Sequence, residues 1–170
     1  MAQLRGPGPL ERKDTREGFH CGVASLDTWL VEHAAGADAA GSAHAYVVID
    51  EEQDRVVGYY ALTVASLERE EAIGRASRGL ARHPIPAMLL ARLAGDQSAQ
   101  GEGAGEMLLA DAMQRTLLVA EETGIRLLLV HAVDEEAVGF YLHYGFESSS
   151  SDPMNLQLLI KDIRATIEGE

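Results

Sequence analysis

The sequence predicts an α/β fold, in which helices pack against a mixed, partly parallel central sheet. Segments of strand-like composition alternate with segments of helical periodicity along most of the chain. The run IRLLLVHA at 125–132 is also continuously apolar, which is typical of a strand buried on both faces of a sheet. With 170 residues, 46% of them hydrophobic, we expect one domain with a core of ordinary size.

The first forty residues predict a loop followed by a helix. The segment Gly6-Pro7-Gly8-Pro9 has the composition of a loop. Residues 24–36 carry apolar side chains at helical spacing and therefore predict an amphipathic helix. Ser25 is placed to cap this helix and Gly36 to end it.

The other elements follow from the same two signals. Apolar or alternating runs predict strands at 43–50, 55–67, 87–95, 125–132, 146–149 and 154–161. Helical spacing predicts helices at 103–123 and 134–145, the second capped by Asp134. The run 69–84, which ends at prolines, fits either a helix or a loop.

The charge of the chain is strongly negative but unevenly distributed. Lys and Arg number 14 against 27 Asp and Glu, so the net charge is −13, which argues against a large non-specific nucleic-acid surface. Residues 72–93 nevertheless contain no acid and hold Arg75, Arg78, Arg82 and Arg92. Such an arginine segment marks either a docking place for an anionic ligand or a solvated helix face followed by a loop.

Several classes of protein are not expected. No apolar run is long enough to cross a bilayer, and the N-terminus lacks the apolar core of a signal peptide, so we expect a cytoplasmic protein without membrane attachment. The single cysteine, Cys21, excludes an internal disulfide. The histidines show no metal-ligand spacing, so we expect no metal; this concerns His20, His33, His44 and His83.

A glycine-rich stretch leads into the long predicted helix. In AGDQSAQGEGAGEMLLADAM, at 94–113, Gly101, Gly103 and Gly105 stand where the helix begins. The first amides of a helix have no internal partner, and glycine lets the backbone approach a ligand closely, so the loop suits a phosphate or diphosphate. No Gly-Lys-Ser/Thr follows, which excludes a Walker-type site, and the spacing is not that of a dinucleotide fingerprint. A plain strand-to-helix turn is the alternative.

Three motifs together resemble a known family. LARLAGDQSAQGEGAG, GIRLLLVHA and EEAVGFYLHYGF occur in the order and spacing of the GNAT superfamily of acetyl-coenzyme-A-dependent N-acetyltransferases. The resemblance implies one GNAT domain over 1–170, with its core at about 19–161. It also implies that loop amides hold the diphosphate of acetyl-CoA, at Gln100, Gly101, Glu102, Gly103, Ala104 and Gly105. The pantetheine arm would pair with the strand backbone at Leu93, Ala94 and Gly95. Gln100 and Glu102 depart from the common pattern, in which Arg and a basic or neutral residue are frequent.

A narrower resemblance extends over nearly the whole chain. The segments FHCGVASLDTWLVEHA and HPIPAMLLARLAGD are similar to the GNAT toxins of bacterial toxin–antitoxin pairs. Those toxins acetylate the α-amino group of aminoacyl-tRNA and block translation, and a ribbon-helix-helix antitoxin usually neutralises them. The resemblance implies a homodimer, with Arg75, Arg78, Arg82 and Arg92 facing the tRNA.

The resemblance also assigns the acid of the reaction. Tyr141, in GFYLHYGF, matches the family's tyrosine that gives a proton to the coenzyme A sulfur. A tyrosine with an ordinary pKa near ~10 is protonated at neutral pH, but the same residue is also compatible with a core aromatic. The general base stays open among His131, His143, Asp134 and Glu135, and an α-amine with a pKa near ~8 needs no dedicated base. A covalent route through Cys21 is the least favoured alternative.

Two other functions remain as hypotheses. The acidic balance favours a GNAT enzyme that acts on a small amine or a protein. A non-catalytic protein that senses acetyl-CoA or serves as a scaffold would keep the fold without the chemistry. Substitution of Tyr141 separates this last class from the enzymes, since only an enzyme loses turnover.

Overall fold

The computed structural model describes residues 3–78 and 83–169 of the chain. In these ranges seven strands are hydrogen-bonded in the order β1-β2-β3-β4-β5-β7-β6. The strands are β1 (Leu4–Pro9), β2 (His44–Asp50), β3 (Arg55–Leu67), β4 (Ile85–Gly95), β5 (Leu127–His131), β6 (Glu147–Ser148) and β7 (Asn155–Leu159). Strands β4 and β5 are parallel, whereas β1–β2, β2–β3, β5–β7 and β6–β7 are antiparallel. The predicted α/β class with a partly parallel sheet is confirmed.

The described helices alternate with these strands. They are α1 (Ala24–Thr28), a π-helical turn (Trp29–His33), α2 (Ala34–Ala40), α3 (Gly74–Ser77), a 3-10 turn (Gln97–Ala99), α4 (Ala104–Glu122), α5 (Glu135–His143) and α6 (Ile160–Glu168). No helix in the described part of the chain is long and apolar enough to cross a membrane.

The described residues form two compact units. The first comprises the chain up to Thr63 together with Ala91–Ala112, and the second comprises the described parts of 64–90 and 113–169. The strands β3 and β4 and the helix α4 contribute residues to both units. The glycine-rich loop therefore belongs to the first unit, and α5 to the second.

An aromatic cluster anchors the first unit. The Tyr59 ring on β3 lies edge-on to Phe19 and is stacked on Trp29, with ring centroids 5.5 and 5.8 Å apart. The buried Tyr59 hydroxyl donates a 2.7 Å hydrogen bond to the carbonyl of Leu26, which satisfies its polar atom. This cluster fixes the α1 segment against the strands. The second unit has its own aliphatic core, formed by Leu67, Ala76, Ile85, Ala87, Leu127, Leu129 and Leu159.

The prediction of a loop at Gly6–Pro9 is wrong, because these residues lie in β1. Strand β1 is the first strand in the order and, among the described strands, pairs with β2 alone, with a register irregularity between Arg5 and Gly8. Proline lacks an amide donor but is tolerated on an edge strand, where one side of the backbone needs no partner. Composition alone does not distinguish such an edge strand from a loop.

The predicted cap and the predicted last residue of the first helix are wrong, whereas its start at residue 24 is confirmed. The residue before the helix is Val23, not Ser25, and it makes no side-chain cap. The helical segment runs through the π-helical turn at Trp29–His33 and continues past Gly36 to Ala40, after which Gly41 adopts the left-handed conformation at φ 73°. A helix tolerates one internal glycine at a cost of roughly 1 kcal/mol, whereas the left-handed position at its end strongly favours glycine.

One more predicted element differs from the structure, and the sequence leaves 69–84 open between helix and loop. Of 69–84, only Gly74–Ser77 is described as helix, and 79–82 lie outside the described residues. The predicted last strand, 154–161, ends at Leu159 and is followed directly by α6. Ile160, Ile163 and Ile167 do have helical spacing, but the apolar run from Leu158 to Ile160 continues across the junction, so the end of the strand is not marked in the sequence. By contrast, β3 spans the predicted 55–67, and Asp134 caps α5 by accepting a 2.8 Å hydrogen bond from the Ala137 amide.

Candidate active site

The glycine-rich loop begins at a buried aspartate. Strand β4 ends at Gly95, and the next residue, Asp96, is only 4% exposed. Its backbone amide donates to the Val57 carbonyl of the neighbouring strand at 2.8 Å. The 3-10 turn Gln97–Ala99 follows. The direction in which the chain leaves the sheet is therefore set at Asp96.

The Asp96 carboxylate holds three parts of the first unit together. It accepts the His20 amide at 2.7 Å, the Ser98 amide at 2.9 Å and the Ser98 hydroxyl at 2.6 Å. The Arg55 guanidinium binds both carboxylate oxygens, at 3.3 and 3.2 Å. Such a bidentate, charge-assisted pair fixes orientation as well as position. The entry to the loop is thus tied to β3 and to the segment before α1.

The ionisation state of Asp96 follows from these contacts. Burial by itself would raise the pKa of the carboxyl, but hydrogen bonds from Arg55, Ser98 and the His20 amide outweigh it and hold the pKa well below its ordinary range. Asp96 is therefore charged at every pH at which the protein is expected to work.

Glycine is required at two positions of the loop by backbone geometry. Gly101 has φ 86° and Gly103 has φ 80°, both in the left-handed region that favours glycine. No atom lies within 4 Å of a Cβ built at either residue, so the restriction arises from the dihedral angle and not from crowding. Two such residues turn the chain within a few positions and direct it into α4.

The turn leaves backbone donors free at the start of α4. The first hydrogen bond at this end of the helix runs from the Met107 amide to the Gly103 carbonyl at 3.0 Å. Among the described residues, no acceptor binds the amides of Ala104, Gly105 and Glu106. Gly103 has no side chain that could cap them. Unpaired amides at the positive end of a helix of 19 residues suit the binding of an anion.

The two departures from the family pattern have different consequences. The Gln100 side-chain amide donates to the carbonyls of Cys21 and Gly95, both at 3.3 Å, so it supports the loop from within. The Glu102 side chain is exposed and contributes a negative charge close in sequence to these amides. The predicted cofactor residues of β4 lie next to the loop, with Leu93 and Gly95 partly exposed and Ala94 buried.

Sequence reasoning overlooked the support for this loop. Arg55 and His20 lie 41 and 76 residues from Asp96, so nothing local pairs them. The Asp96 side chain does carry a local signal, because an aspartate two residues before a serine is a frequent cap of a short turn. Asp96 and Ser98 both lie within the glycine-rich stretch at 94–113.

The arginine segment is acid-free in sequence but not in space. Arg75 donates to Glu147 at 2.8 Å and to Asp162 at 3.1 Å. Arg78 is exposed, and its carbonyl accepts from Arg126 at 3.1 Å, while Arg82 lies outside the described residues. Acids that are distant in sequence thus offset the charge of Arg75.

Arg92 differs from the other described members of the segment. Its guanidinium carbon lies 4.6 Å from the centroid of the Trp29 ring, a cation–π contact, and Trp29 is stacked in turn on Tyr59. No carboxylate among the described residues pairs with Arg92. Arg92 therefore combines a held orientation with an uncompensated charge.

Tyr141 lies on α5 in the second unit. Its ring is 5% exposed and packs edge-on against Phe140 and Phe146, with both pairs of centroids 5.2 Å apart. Among the described residues its hydroxyl has no hydrogen-bond partner. The hydroxyl oxygen is also not among the fully buried polar atoms that lack a partner. Burial raises the pKa of Tyr141 above its ordinary value, so the hydroxyl keeps its proton through neutral and mildly alkaline pH. The ring is a core aromatic, but its hydroxyl is not satisfied as an ordinary core hydroxyl would be.

The candidates for a general base are placed less specifically. Asp134 is engaged as the α5 cap, and His143 packs edge-on against Tyr144 with centroids 4.9 Å apart. Glu135 and His131 are exposed. In the part of the chain that the structure describes, no cluster of three or more His, Cys, Asp or Glu side chains is arranged to hold a metal.

Cys21 is expected to be unreactive and dispensable. Burial, followed by a hydrogen bond with Asp27, raises the pKa of the thiol to about 11. Because the nucleophile is the thiolate, alkylation by iodoacetamide at pH 7.5 should be on the order of 100-fold slower than for a free cysteine with a pKa near ~8.5. The reaction in denaturant supplies the fast control. Cys21→Ser should keep turnover within about twofold. A variant that folds but is inactive would instead support the covalent route through Cys21.

Comparisons with known proteins agree with this geometry. The family description "Acetyltransferase (GNAT) domain" matches residues 41–148. A tRNA-acetylating toxin of Mycobacterium tuberculosis (strain ATCC 25618 / H37Rv) is 40% identical over 167 residues, which cover 98% of this chain and 99% of the relative.

Two solved structures have the same fold. The complex of AtaT with acetyl-methionyl-tRNAfMet has a TM-score of 0.86 and 26% identity, covering 98% of this chain and 99% of AtaT. A tyrosine-to-phenylalanine mutant of AtaT, bound to the C-terminus of the antitoxin AtaR and acetyl-CoA, has a TM-score of 0.80 and 27% identity, with 97% of each chain covered. The family description matches more than half of the chain, and a 40% identical relative matches it along nearly its whole length. This chain therefore belongs to the GNAT acetyltransferase family.

Proposed function

We propose that the protein is the toxin of a toxin–antitoxin pair, which uses acetyl-CoA to acetylate the α-amino group of aminoacyl-tRNA and so blocks translation. The single observation that carries the acetyltransferase activity is the set of unpaired amides where the glycine-rich loop enters α4. The choice of substrate is supported by the relative that is named a tRNA-acetylating toxin and by the AtaT complex with acetylated tRNA.

The loop residues fit a diphosphate. The amides of Ala104, Gly105 and Glu106 would donate to its oxygens, and the positive φ of Gly101 and Gly103 keeps the backbone in the shape that presents them. The open space around both glycines leaves room for close approach. The backbone of Leu93, Ala94 and Gly95 would pair with the pantetheine arm.

The chain's own contribution to the chemistry is the handling of a proton. Acetyl-CoA, when bound, supplies a thioester that the amine attacks, and the departing thiolate requires a proton. Tyr141 is proposed to hold that proton on Oη, because its hydroxyl has no acceptor among the described residues and burial keeps it un-ionised. A neutral α-amine, with a pKa near ~8 that an adjacent ester lowers, exists in sufficient amount without a base from the protein.

Contact with RNA is proposed to be local. A net charge of −13 does not support a broad phosphate-binding surface. Arg92, held on Trp29 and without a carboxylate partner, is the described arginine best placed to bind a phosphate of the substrate. Arg78 is a second candidate because its side chain is exposed, and Arg82 and Arg75 complete the predicted set.

Arg92 and Arg75 should therefore contribute unequally. Arg92→Gln should lower kcat/KM for charged tRNA about tenfold, the equivalent of ~1.4 kcal/mol. Arg75→Gln should lower it less than about twofold, since two acids already compensate this charge. Initial rates at two salt concentrations measure both effects, and the Arg92 variant should show the weaker salt dependence. Equal losses would refute the assignment of Arg92.

The partners are proposed by the same similarity. One neighbour is bound to the C-terminus of its antitoxin, so we infer an antitoxin for this protein, with a ribbon-helix-helix DNA-binding domain. We also infer a homodimer, which light scattering of the purified protein would measure. A monomer at working concentration would remove the second inference and leave the enzyme unchanged.

The deciding experiment is transfer from labelled acetyl-CoA to a pool of charged tRNAs, with each acceptor identified after hydrolysis. Uncharged tRNA and free amino acids serve as controls. Label in one or a few aminoacyl-tRNAs only is the expected result. Label found only in free amines or in protein would favour the second candidate, a GNAT enzyme for a small amine or protein. The net charge of −13 supports that candidate. Uptake of acetyl-CoA without transfer to any acceptor would indicate a sensor or scaffold.

A further inference from the structure

A cavity of about 310 Å³ in the second unit is lined by cationic side chains. Arg75, Arg126, Lys161 and Arg164 contribute to its wall, and no acidic side chain of the described residues lines it. Aliphatic residues, among them Ile125 and Leu159, form the rest. Such a concentration of positive charge is unexpected in a chain that carries 27 acids against 14 bases.

Two of the four cations are held in place. Arg126 donates from Nε to the Ala76 carbonyl at 3.4 Å and from Nη2 to the Arg78 carbonyl at 3.1 Å. These acceptors are neutral, so the charge of Arg126 is not compensated. Arg75 is oriented by Glu147 and Asp162 at the edge of the cavity.

The other two cations lie on α6. Lys161 is exposed and Arg164 half-buried, and neither side chain pairs with a carboxylate of the described residues. Four positive charges less the two carboxylates that bind Arg75 leave the cavity with a net charge of +2 (4 − 2). Charges in a concave site attract an anion more strongly than charges spread over a surface.

The size and lining of the cavity limit the ligand. A volume of about 310 Å³ is at the lower end of the range for small-molecule sites, which is too small for a folded partner. Guanidinium groups match the oxygens of a phosphate, and the aliphatic wall suits a small organic group attached to it.

We propose that this cavity is a second anion site, separate from the glycine-rich loop, and that it binds a phosphate monoester of nucleotide size. A phosphate monoester carries close to two negative charges at neutral pH, which equals the net charge of the site. That chemistry has two sources, a free nucleotide or the 5′-terminal phosphate of an RNA. The second source rests on the proposed function, whereas the first does not.

The test compares both sources on a charge-neutralised protein. Lys161→Gln with Arg164→Gln removes two cationic groups that make no ion pair with any described residue, so the fold should be retained. Arg12→Gln with Lys13→Gln, in the first unit, makes the same change in net charge and is the matched control. Circular dichroism melts establish that both variants fold. The probes are AMP, and one RNA hairpin prepared with either a 5′-phosphate or a 5′-hydroxyl.

Each outcome of the titrations has a defined meaning. We expect a 5′-phosphate preference of at least about fivefold, lost in the α6 variant and kept in the control. Alternatively, AMP binding could weaken about tenfold in the α6 variant only, while the two RNA hairpins bind equally well. That result would assign the site to free nucleotides. The inference is overturned if the α6 variant and the control behave alike toward both probes. These assays measure binding without acetyl transfer, so failure here is distinguishable from failure to acetylate charged tRNA.

Discussion

Replacement of Tyr141 by phenylalanine is expected to lower kcat about 100- to 1,000-fold and to leave the Kd for acetyl-CoA unchanged. The change removes one hydroxyl from a ring that remains packed between Phe140 and Phe146, so the core is preserved. The loop amides proposed to hold the cofactor belong to the other unit and keep their donors. Stopped-flow turnover and calorimetry measure the two quantities separately.

A second tyrosine in the same motif supplies the control. Tyr144→Phe removes a hydroxyl three residues along the chain, next to the end of α5, and should change kcat less than about threefold. Because the pKa of Tyr141 is raised, the hydroxyl stays protonated as the pH rises from 7 to 9, so kcat should show no alkaline decline from this group in that range. Equal kcat values for the unaltered protein and Tyr141→Phe would remove Tyr141 from the mechanism.

Replacement of Asp96 by asparagine is expected to weaken acetyl-CoA binding about tenfold and to lower the free energy of unfolding by about 3 kcal/mol. The substitution places an amide donor among the Arg55, Ser98 and His20 donors and leaves the Arg55 charge without its partner. The turn that precedes the glycines would then lose its fixed direction. Asp96 acts through the loop and is a positioning residue.

Asp50 is a matched control for Asp96. It is 3% exposed, lies in the same unit, and accepts the amides of Glu52 and Gln53 at 2.9 and 3.2 Å in the turn after β2. Asp50→Asn should lower stability but leave the Kd for acetyl-CoA within about twofold, measured well below the melting temperature. If both variants weakened binding equally, the effect would be general destabilisation and not loop positioning.

The pH dependence of binding gives an independent check on Asp96. Because the folded-state pKa lies below the unfolded value of about 3.9, its stabilisation is complete above that value and is lost only as the pH falls below it, toward the folded pKa. Acetyl-CoA uptake should therefore stay constant from pH 8 to about pH 5 as far as Asp96 is concerned. A group that titrates within that window would have to be sought elsewhere.

The sequence by itself determined those features whose cause lies within one or two turns of chain. The left-handed positions at Gly101 and Gly103, the start of α4 after them and the Asp134 cap of α5 are short-range consequences of residue type. The continuous apolar run of β5 likewise predicted a strand with both faces buried, and Leu127 to Val130 are all buried. The family resemblance rested on these same local motifs.

The tertiary structure alone decided which charges meet. It paired Arg75 with Asp162, 87 residues away, although no acid lies within three residues of Arg75 in the sequence. It brought His20 and Arg55 to Asp96, and gave Gln100 a structural use in place of a phosphate contact. It also began a helix directly after β7, at Ile160, and this helix carries Lys161 and Arg164. The conformational preferences of the backbone act over a few residues. An ion pair depends instead on the distance between two charges in the folded chain, which the amino-acid sequence does not show directly.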